Sequence, residues 1–122
     1  MKVLVIDDQP LLRDVFAEFL EVLGHEADLA ADGREGLARF DPSVHQIVLT
    51  DFLMPGLTGL EVAAAIRARS RTTPIVMITG FAKPDDEQRA AEAGLRFVRK
   101  PLTFAQFEAT MVEAVERADA PR

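Results

Sequence analysis

Three short stretches of the chain are almost continuously apolar, two further stretches are partly so, and each gives way to a polar residue or a turn signal. Runs of about four to eight apolar residues are typical of strands buried on both faces, as in a parallel sheet. We predict strands over Lys2–Ile6, His25–Ala31, Gln46–Thr50, Pro74–Thr79 and Leu95–Arg99, of which the second has the weakest pattern.

The segments between these strands carry apolar residues at helical spacing. Pro10 suits the first turn of the first helix, and Gly24 suits its end. Further helices are predicted over 34–40, 60–69 and 84–93. The first helix carries Leu12, Val15, Phe16, Phe19, Leu20 and Leu23, and the last carries Phe104, Phe107, Met111, Ala114 and Val115.

Strand and helix therefore alternate along a chain of 122 residues, a length that fits one domain. This alternation favours an α/β fold in which helices cover both faces of a parallel sheet, with right-handed connections. Open sheets of this kind bind their ligands at the carboxyl ends of the strands. The residues that follow each strand are therefore the first candidates for a functional site.

Residues with reactive or charged side chains stand at four of these strand ends. Asp7 and Asp8 follow the first strand, and Asp51 follows the third. Thr79 closes the fourth strand, and Lys100 follows the fifth. Because the carboxyl ends of parallel strands meet at one edge of the sheet, we expect these five side chains to share one crevice.

Three carboxylates in one crevice repel one another unless a cation lies among them. Carboxylate oxygens and water are the ligands that Mg²⁺ prefers, and Mn²⁺ accepts the same set. A carboxylate beside a metal can act as a nucleophile toward phosphorus, while a lysine and a hydroxyl stabilise the transferred oxygens. Taken singly, the aspartates could cap a helix, Thr79 could cap a strand and Lys100 could be a surface lysine. Their expected convergence favours phosphoryl chemistry.

The composition excludes several other kinds of site. The chain has no cysteine, which excludes disulfides and thiolate chemistry, and its two histidines are too few for a histidine-built metal centre. The net charge of −6 disfavours direct binding of nucleic acid. No apolar run reaches the roughly 20 residues that cross a bilayer, and no secretory leader is evident. We therefore expect a cytoplasmic protein without membrane insertion.

The residues at the strand ends and in the adjoining loops resemble those of response-regulator receiver domains. The resemblance covers essentially the whole chain and implies a flavodoxin-like fold, with five helices around a five-stranded parallel sheet in the order 2-1-3-4-5. We place the domain at 1–118 and a short C-terminal tail at 119–122. The motifs are Ile-Asp-Asp at 6–8, Asp-Phe-Leu-Met-Pro-Gly-Leu-Thr-Gly at 51–59, Thr79-Gly80 and Lys100-Pro101.

The resemblance also implies roles for the acidic residues. Asp51 is the expected phosphoacceptor, and the donor is a sensor histidine kinase or a histidine phosphotransfer protein. Asp8, Asp51 and the backbone carbonyl of Leu53, within the segment 52–54, are expected to hold the Mg²⁺ or Mn²⁺ ion. Asp7 is expected to act mostly through a bound water.

In the same family Lys100 would pair with the phosphoryl group and Thr79 would be the switch hydroxyl. Phosphorylation would draw Thr79 toward Asp51, and the ring of Phe97 would fill the vacated volume. Phe97 cannot donate the hydrogen bond that a tyrosine could, and it also fits the reading of an ordinary core aromatic. The switch is expected to control an output domain or a target protein.

Two further hypotheses concern apolar side chains near the site. Leu53 and Phe81 stand where relatives often carry polar residues that orient an attacking water, which predicts a long-lived acyl phosphate. Leu11, Val15 and Val22 widen the apolar stripe of the first helix, either as a wide core stripe or as a docking patch for the donor.

Three other functions remain open at this point. A Mg²⁺-dependent phosphohydrolase with an aspartyl nucleophile would use similar residues, although its usual Asp-x-Asp motif after the first strand is absent. A flavodoxin-like cofactor binder would need a phosphate-binding loop there, and Asp7 and Asp8 would repel a phosphate. A degenerate receiver would act only as a protein-interaction module.

Overall fold

The computed structural model describes residues 1–80 and 83–119, and in this part of the chain strands and helices alternate as predicted. The observed bounds differ from the predicted ones mostly by one or two residues. The strands are β1 (Lys2–Ile6), β2 (Glu26–Ala30), β3 (Ile47–Thr50), β4 (Ile75–Thr79) and β5 (Arg96–Arg99). The helices are α1 (Pro10–Val22), α2 (Gly33–Arg39), α3 (Gly59–Arg69), α4 (Pro84–Glu92) and α5 (Phe104–Asp119).

The last helix is longer than its apolar pattern indicates. It continues through Asp119, so the first residue of the expected tail is helical, and 120–122 lie outside the described residues. None of the helices in the described ranges is both long enough and apolar enough to cross a membrane.

The five strands form one parallel sheet in the order β2-β1-β3-β4-β5. The predicted fold class and strand order are therefore confirmed. In this register Ile6 pairs with Thr50, so that Asp7 and Asp51 follow side by side at the same edge of the sheet. Thr79 pairs with Arg99, which places Lys100 next to the end of β4.

Alternate residues of each strand enter two separate hydrophobic cores, because successive side chains of a strand point to opposite faces. Val3 and Val5 pack on the face covered by α1 and α5, where the rings of Phe16 and Phe107 stack with centroids 5.4 Å apart. The opposite core, which includes Leu4, is covered by α2, α3 and α4. The central strands are thus buried on both sides, as their continuous apolar runs predict.

Helix ends are defined by local signals in the chain. Pro10 occupies the start of α1, and Gly24, with a φ of +84°, follows its end. Thr58 and Glu61 form a reciprocal capping box at the start of α3, with N···O distances of 3.2 and 3.0 Å. The α3 cap matters for the site because it fixes the far end of the loop that follows Asp51.

Candidate functional site

The structure brings all five predicted site side chains together at the carboxyl edge of the sheet. Oxygen atoms of Asp7, Asp8 and Asp51 lie within 4.8 Å of one another. The convergence expected from the strand ends is therefore present. A pocket at this edge is lined by Asp8, Gln9, Asp51, Leu53, Thr79, Gly80 and Lys100.

Lys100 joins two of the three carboxylates. Its Nζ atom donates to Oδ2 of Asp7 at 2.9 Å and to Oδ2 of Asp51 at 3.0 Å. Only 12% of the lysine side chain is exposed, so the reading of a surface lysine is wrong. The backbone N–H of Lys100 donates to the carbonyl oxygen of Thr79 at 2.8 Å, which ties the end of β5 to the end of β4.

Asp7 is held by the loop that joins β1 to α1. Its Oδ1 atom accepts a hydrogen bond from the backbone N–H of Gln9 at 2.9 Å, and its carbonyl oxygen accepts one from the guanidinium of Arg13 at 2.7 Å. The residue that caps α1 is Gln9, so Asp7 and Asp8 are not its N-cap. The contact made by Arg13 is a feature that the sequence pattern did not indicate.

Asp51 lies at the floor of the pocket with 7% of its surface exposed. Its Oδ1 atom accepts a hydrogen bond from the backbone N–H of Phe52 at 2.7 Å. Burial raises the pKa of its carboxyl above the ordinary value of 3.8, the attraction of Lys100 partly offsets the rise, and the charge of Asp7 adds to it. The folded protein therefore disfavours the ionised carboxylate, a condition that a cation would relieve.

Gly59 holds the loop after Asp51 through a close backbone approach. Its N–H donates to the carbonyl oxygen of Phe52 at 2.7 Å. A Cβ atom at position 59 would collide with the carbonyl oxygen of Asp51 and would lie 3.0 Å from the Cα atom of Phe52. The motif contained this glycine, but its function in seating the phosphoacceptor loop is visible only from the packing.

The two expected switch residues lie on neighbouring strands. Thr79 is buried and lines the pocket. Phe97 is half-buried opposite Met77 on β4, which places its ring in the core beneath α4. The guanidinium carbon of Arg99 lies 5.6 Å from the centroid of that ring.

Leu53 and Phe81 are the two apolar positions expected to affect an attacking water. Leu53 lines the pocket, and 51% of its surface is exposed. Phe81 lies outside the described residues.

This geometry matches that of a known family. Residues 3–112 match the family model of the response regulator receiver domain. The chain belongs to this family. Receiver domains are signalling switches of two-component systems, which carry phosphoryl groups from histidine kinases to regulators.

Similar proteins include both kinases and regulators. The sensor histidine kinase RcsC of Salmonella typhi is 32% identical over 123 residues, which span 100% of this chain and 13% of that protein. The receiver domain described here spans about half the length of the curated response regulators that it matches.

Solved structures of receiver domains have the same fold. Chemotaxis protein CheY4 of Vibrio cholerae is 32% identical, with a TM-score of 0.85 and coverage of 93% of this chain and 97% of that one. Response regulator TrrA of Thermotoga maritima, solved in complex with Mg²⁺ and BeF, is 30% identical with a TM-score of 0.83, and the coverage is again 93% and 97%.

The raised pKa of Asp51 generates a prediction for the metal-free receiver domain. The fold disfavours the ionised carboxyl of Asp51. The contribution of the neutral carboxyl to the free energy of unfolding is therefore fully present below pH 3.8, and it is lost as the pH rises through the folded-state pKa. Asp51→Asn removes this charge while Lys100 keeps Asp7 as its partner. We expect the substitution to raise the free energy of unfolding at neutral pH by about 0.5 to 2 kcal/mol.

Urea denaturation in EDTA measures this difference. The gain should shrink as the pH is lowered towards 3.8, where the wild-type carboxyl is also becoming neutral. A variant that is less stable than the wild type at neutral pH would contradict the charge balance described for the site.

Proposed function

We propose that this receiver domain takes a phosphoryl group onto Asp51 and thereby switches the surface formed by β4, α4 and β5. The observation that carries the proposal is the ammonium of Lys100, which is shared by the carboxylates of Asp7 and Asp51 at 2.9 and 3.0 Å. An ammonium group in this position can stabilise negative charge on the carboxylate before the transfer and on a phosphoryl oxygen after it. We take 1–118 as the functional domain and 119–122 as a short tail, although Asp119 continues the last helix.

The acidic cluster fits a hard divalent cation, and we propose Mg²⁺, with Mn²⁺ as its substitute. Its donors are all oxygen atoms, and burial makes the ionised form of Asp51 less favourable than it would be in water. Asp8, Asp51 and the carbonyl of Leu53 would hold the ion, while Asp7, occupied by Lys100, would contribute through water. When bound, the ion supplies positive charge to the transferred oxygens. The relative TrrA, solved with Mg²⁺ and BeF, supports this assignment.

The chain's own residues can perform the transfer from a phosphohistidine. An oxygen of Asp51 forms a bond to phosphorus as the bond from phosphorus to the donor's imidazole nitrogen breaks, and the leaving imidazole takes up a proton. The ammonium of Lys100 exchanges its contact with the carboxylates for one with the phosphoryl oxygens, where it stabilises their negative charge. Thr79 then donates its hydroxyl to the phosphoryl group, and Phe97 responds by turning inward.

Mass spectrometry of the intact protein tests this function. With acetyl phosphate and Mg²⁺, the wild type should gain the mass of one phosphoryl group, because a metal-assisted carboxylate can accept it from a small donor. Asp51→Asn should gain none, since an amide is not a nucleophile here, and a sample in EDTA should gain little.

The same assay separates the other functions considered. A phosphohydrolase would turn over excess acetyl phosphate many times within the assay without accumulating an adduct. A degenerate receiver would leave both the protein mass and the acetyl phosphate unchanged. Either outcome would contradict the proposed switch.

The partner surface that we propose lies on α1 beside the pocket. Leu11, Val15 and Val22 fall on one stripe of the helix and are 80%, 38% and 74% exposed. Val15 also lines an apolar groove that reaches Gly80 and Lys100 at the edge of the pocket. A helix of the donor that packs on this stripe would bring its phosphohistidine to Asp51, which favours a kinase or phosphotransfer bundle as the partner.

A charged residue introduced on this stripe should slow phosphoryl transfer from a protein donor but not from a small-molecule donor. Val15→Lys and Val22→Lys should each lower the rate of transfer from a phosphorylated histidine kinase by about tenfold or more, because they bury an unpaired charge in the complex. Acetyl phosphate should remain effective, since it needs no docking surface. Rapid-quench measurement of both reactions provides the test.

Val112→Lys is the matched control, because Val112 is 53% exposed on α5 and does not line the groove. Its transfer rates should equal those of the wild type. Equal loss with both donors, or equal loss in the control, would discard α1 as the docking surface.

The exposed apolar side chain of Leu53 generates a prediction for the phosphorylated state. Leu53 cannot hydrogen-bond a water that attacks the acyl phosphate, so the phosphoryl group should be long-lived. Leu53→Asn should shorten the half-life by about two- to tenfold, the scale of one hydrogen bond between neutral groups. Loss of the added mass after removal of acetyl phosphate measures it, and an unchanged or longer half-life would refute the prediction.

A further inference from the structure

The pocket around Asp51 has a buried or half-buried floor and an exposed rim. The floor consists of Asp8, Asp51, Thr79 and Lys100, all of which already have roles in the proposed transfer. The rim consists of the exposed residues Gln9, Leu53 and Gly80. Within the described part of the chain, Gln9 is therefore the rim residue that has a polar side chain.

The amide of Gln9 is not used to hold the fold. Gln9 is the N-cap residue of α1, yet its side chain makes no capping hydrogen bond. Its backbone N–H donates to Oδ1 of Asp7 at 2.9 Å, which fixes the residue beside the acidic cluster. Among residues 1–80 and 83–119 its side chain has no hydrogen-bond partner, so the amide is free to bind a solvent molecule at the pocket mouth.

A water that hydrolyses a phosphoryl group on Asp51 must reach the phosphorus atom past this rim. The water oxygen forms a bond to phosphorus as the bond from phosphorus to the Asp51 oxygen breaks, so inorganic phosphate leaves and the carboxylate is regenerated. The attacking and leaving oxygens lie roughly in line. Because Asp51 is at the floor, the water must approach from the mouth, where a glutamine carbonyl oxygen can accept a hydrogen bond from it while the water's proton leaves with the phosphate.

We propose that Gln9 positions this water and thereby sets the lifetime of the phosphorylated state. The inference rests on the proposed function, because it concerns the same acyl phosphate. Leu53, which also lines the pocket, has no polar atom in its side chain, and Gly80 has no side chain. Among the described residues of the rim, the side-chain amide of Gln9 is therefore the group that can orient a water by hydrogen bonding.

Two substitutions of similar length test the role of the amide. Gln9→Met removes both hydrogen-bonding atoms and should lengthen the half-life of the phosphorylated protein about three- to tenfold, the scale of one hydrogen bond between neutral groups. Gln9→Glu keeps an acceptor oxygen at the same distance and should restore a half-life no longer than that of the wild type. Gln46→Met, at an exposed position just before β3 at the amino end of the sheet, is the control and should have the wild-type half-life.

The half-life is followed by loss of the phosphoryl mass after acetyl phosphate is removed by desalting in Mg²⁺. The Mg²⁺ affinity, measured by calorimetry, and the thermal midpoint of Gln9→Met should equal those of the wild type, whereas a structural disturbance of the β1–α1 loop would change them; Gln9→Glu adds a charge beside the acidic cluster and is compared at saturating Mg²⁺. Equal half-lives for the wild type and Gln9→Met, or a longer half-life for Gln9→Glu as well, would overturn the role of Gln9. A wild type that takes up no phosphoryl group would overturn the proposed function itself.

Discussion

The interaction on which the site depends is the shared contact of one ammonium group with two buried carboxylates. Lys100, at the end of β5, reaches Asp7 after β1 and Asp51 after β3. One lysine leaves three neighbouring aspartates with an excess of negative charge, and burial disfavours that charge further at Asp51. The acidic cluster therefore favours the approach of a divalent cation, which offsets this charge.

The sheet order makes this contact possible, and the packing keeps it in place. β1 and β3 are adjacent, and β4 lies between β3 and β5, so three different strand ends must keep their register for the lysine to reach both acids. Cores on both faces of the sheet restrain the central strands. The close approach of Gly59 to the Asp51 carbonyl restrains the loop in addition. Reactive groups thus stand on rigid supports while the pocket rim stays open to solvent.

Much of this arrangement could be predicted from the sequence because two of its causes are local. Continuous apolar runs identify strands buried on both faces, and a polar residue directly after such a run must lie at the carboxyl edge of a parallel sheet. Asp51 and Lys100 could therefore be placed in one crevice without coordinates. The strand order, by contrast, came from the resemblance, since apolar runs do not specify which strands are neighbours.

Other features depend on contacts between distant parts of the fold and had no local signal. The pairing of Lys100 with Asp7 spans most of the chain, and the contact of Arg13 with the Asp7 carbonyl depends on how α1 leaves the sheet. The last helix continues past Val115, where the predicted apolar stripe ends, because Ala118 also packs against the core. The free amide of Gln9 became evident only once its capping role could be checked against the backbone.

A crystal structure with Mg²⁺ and beryllium fluoride, which resembles a phosphoryl group, tests the central claim most directly. We expect beryllium bonded to a carboxylate oxygen of Asp51, with Nζ of Lys100 about 3 Å from a fluoride and the ion in contact with Asp8 and Asp51. Beryllium fluoride bound elsewhere, or a Lys100 that still bridges Asp7 and Asp51 without contacting the fluoride, would contradict the account.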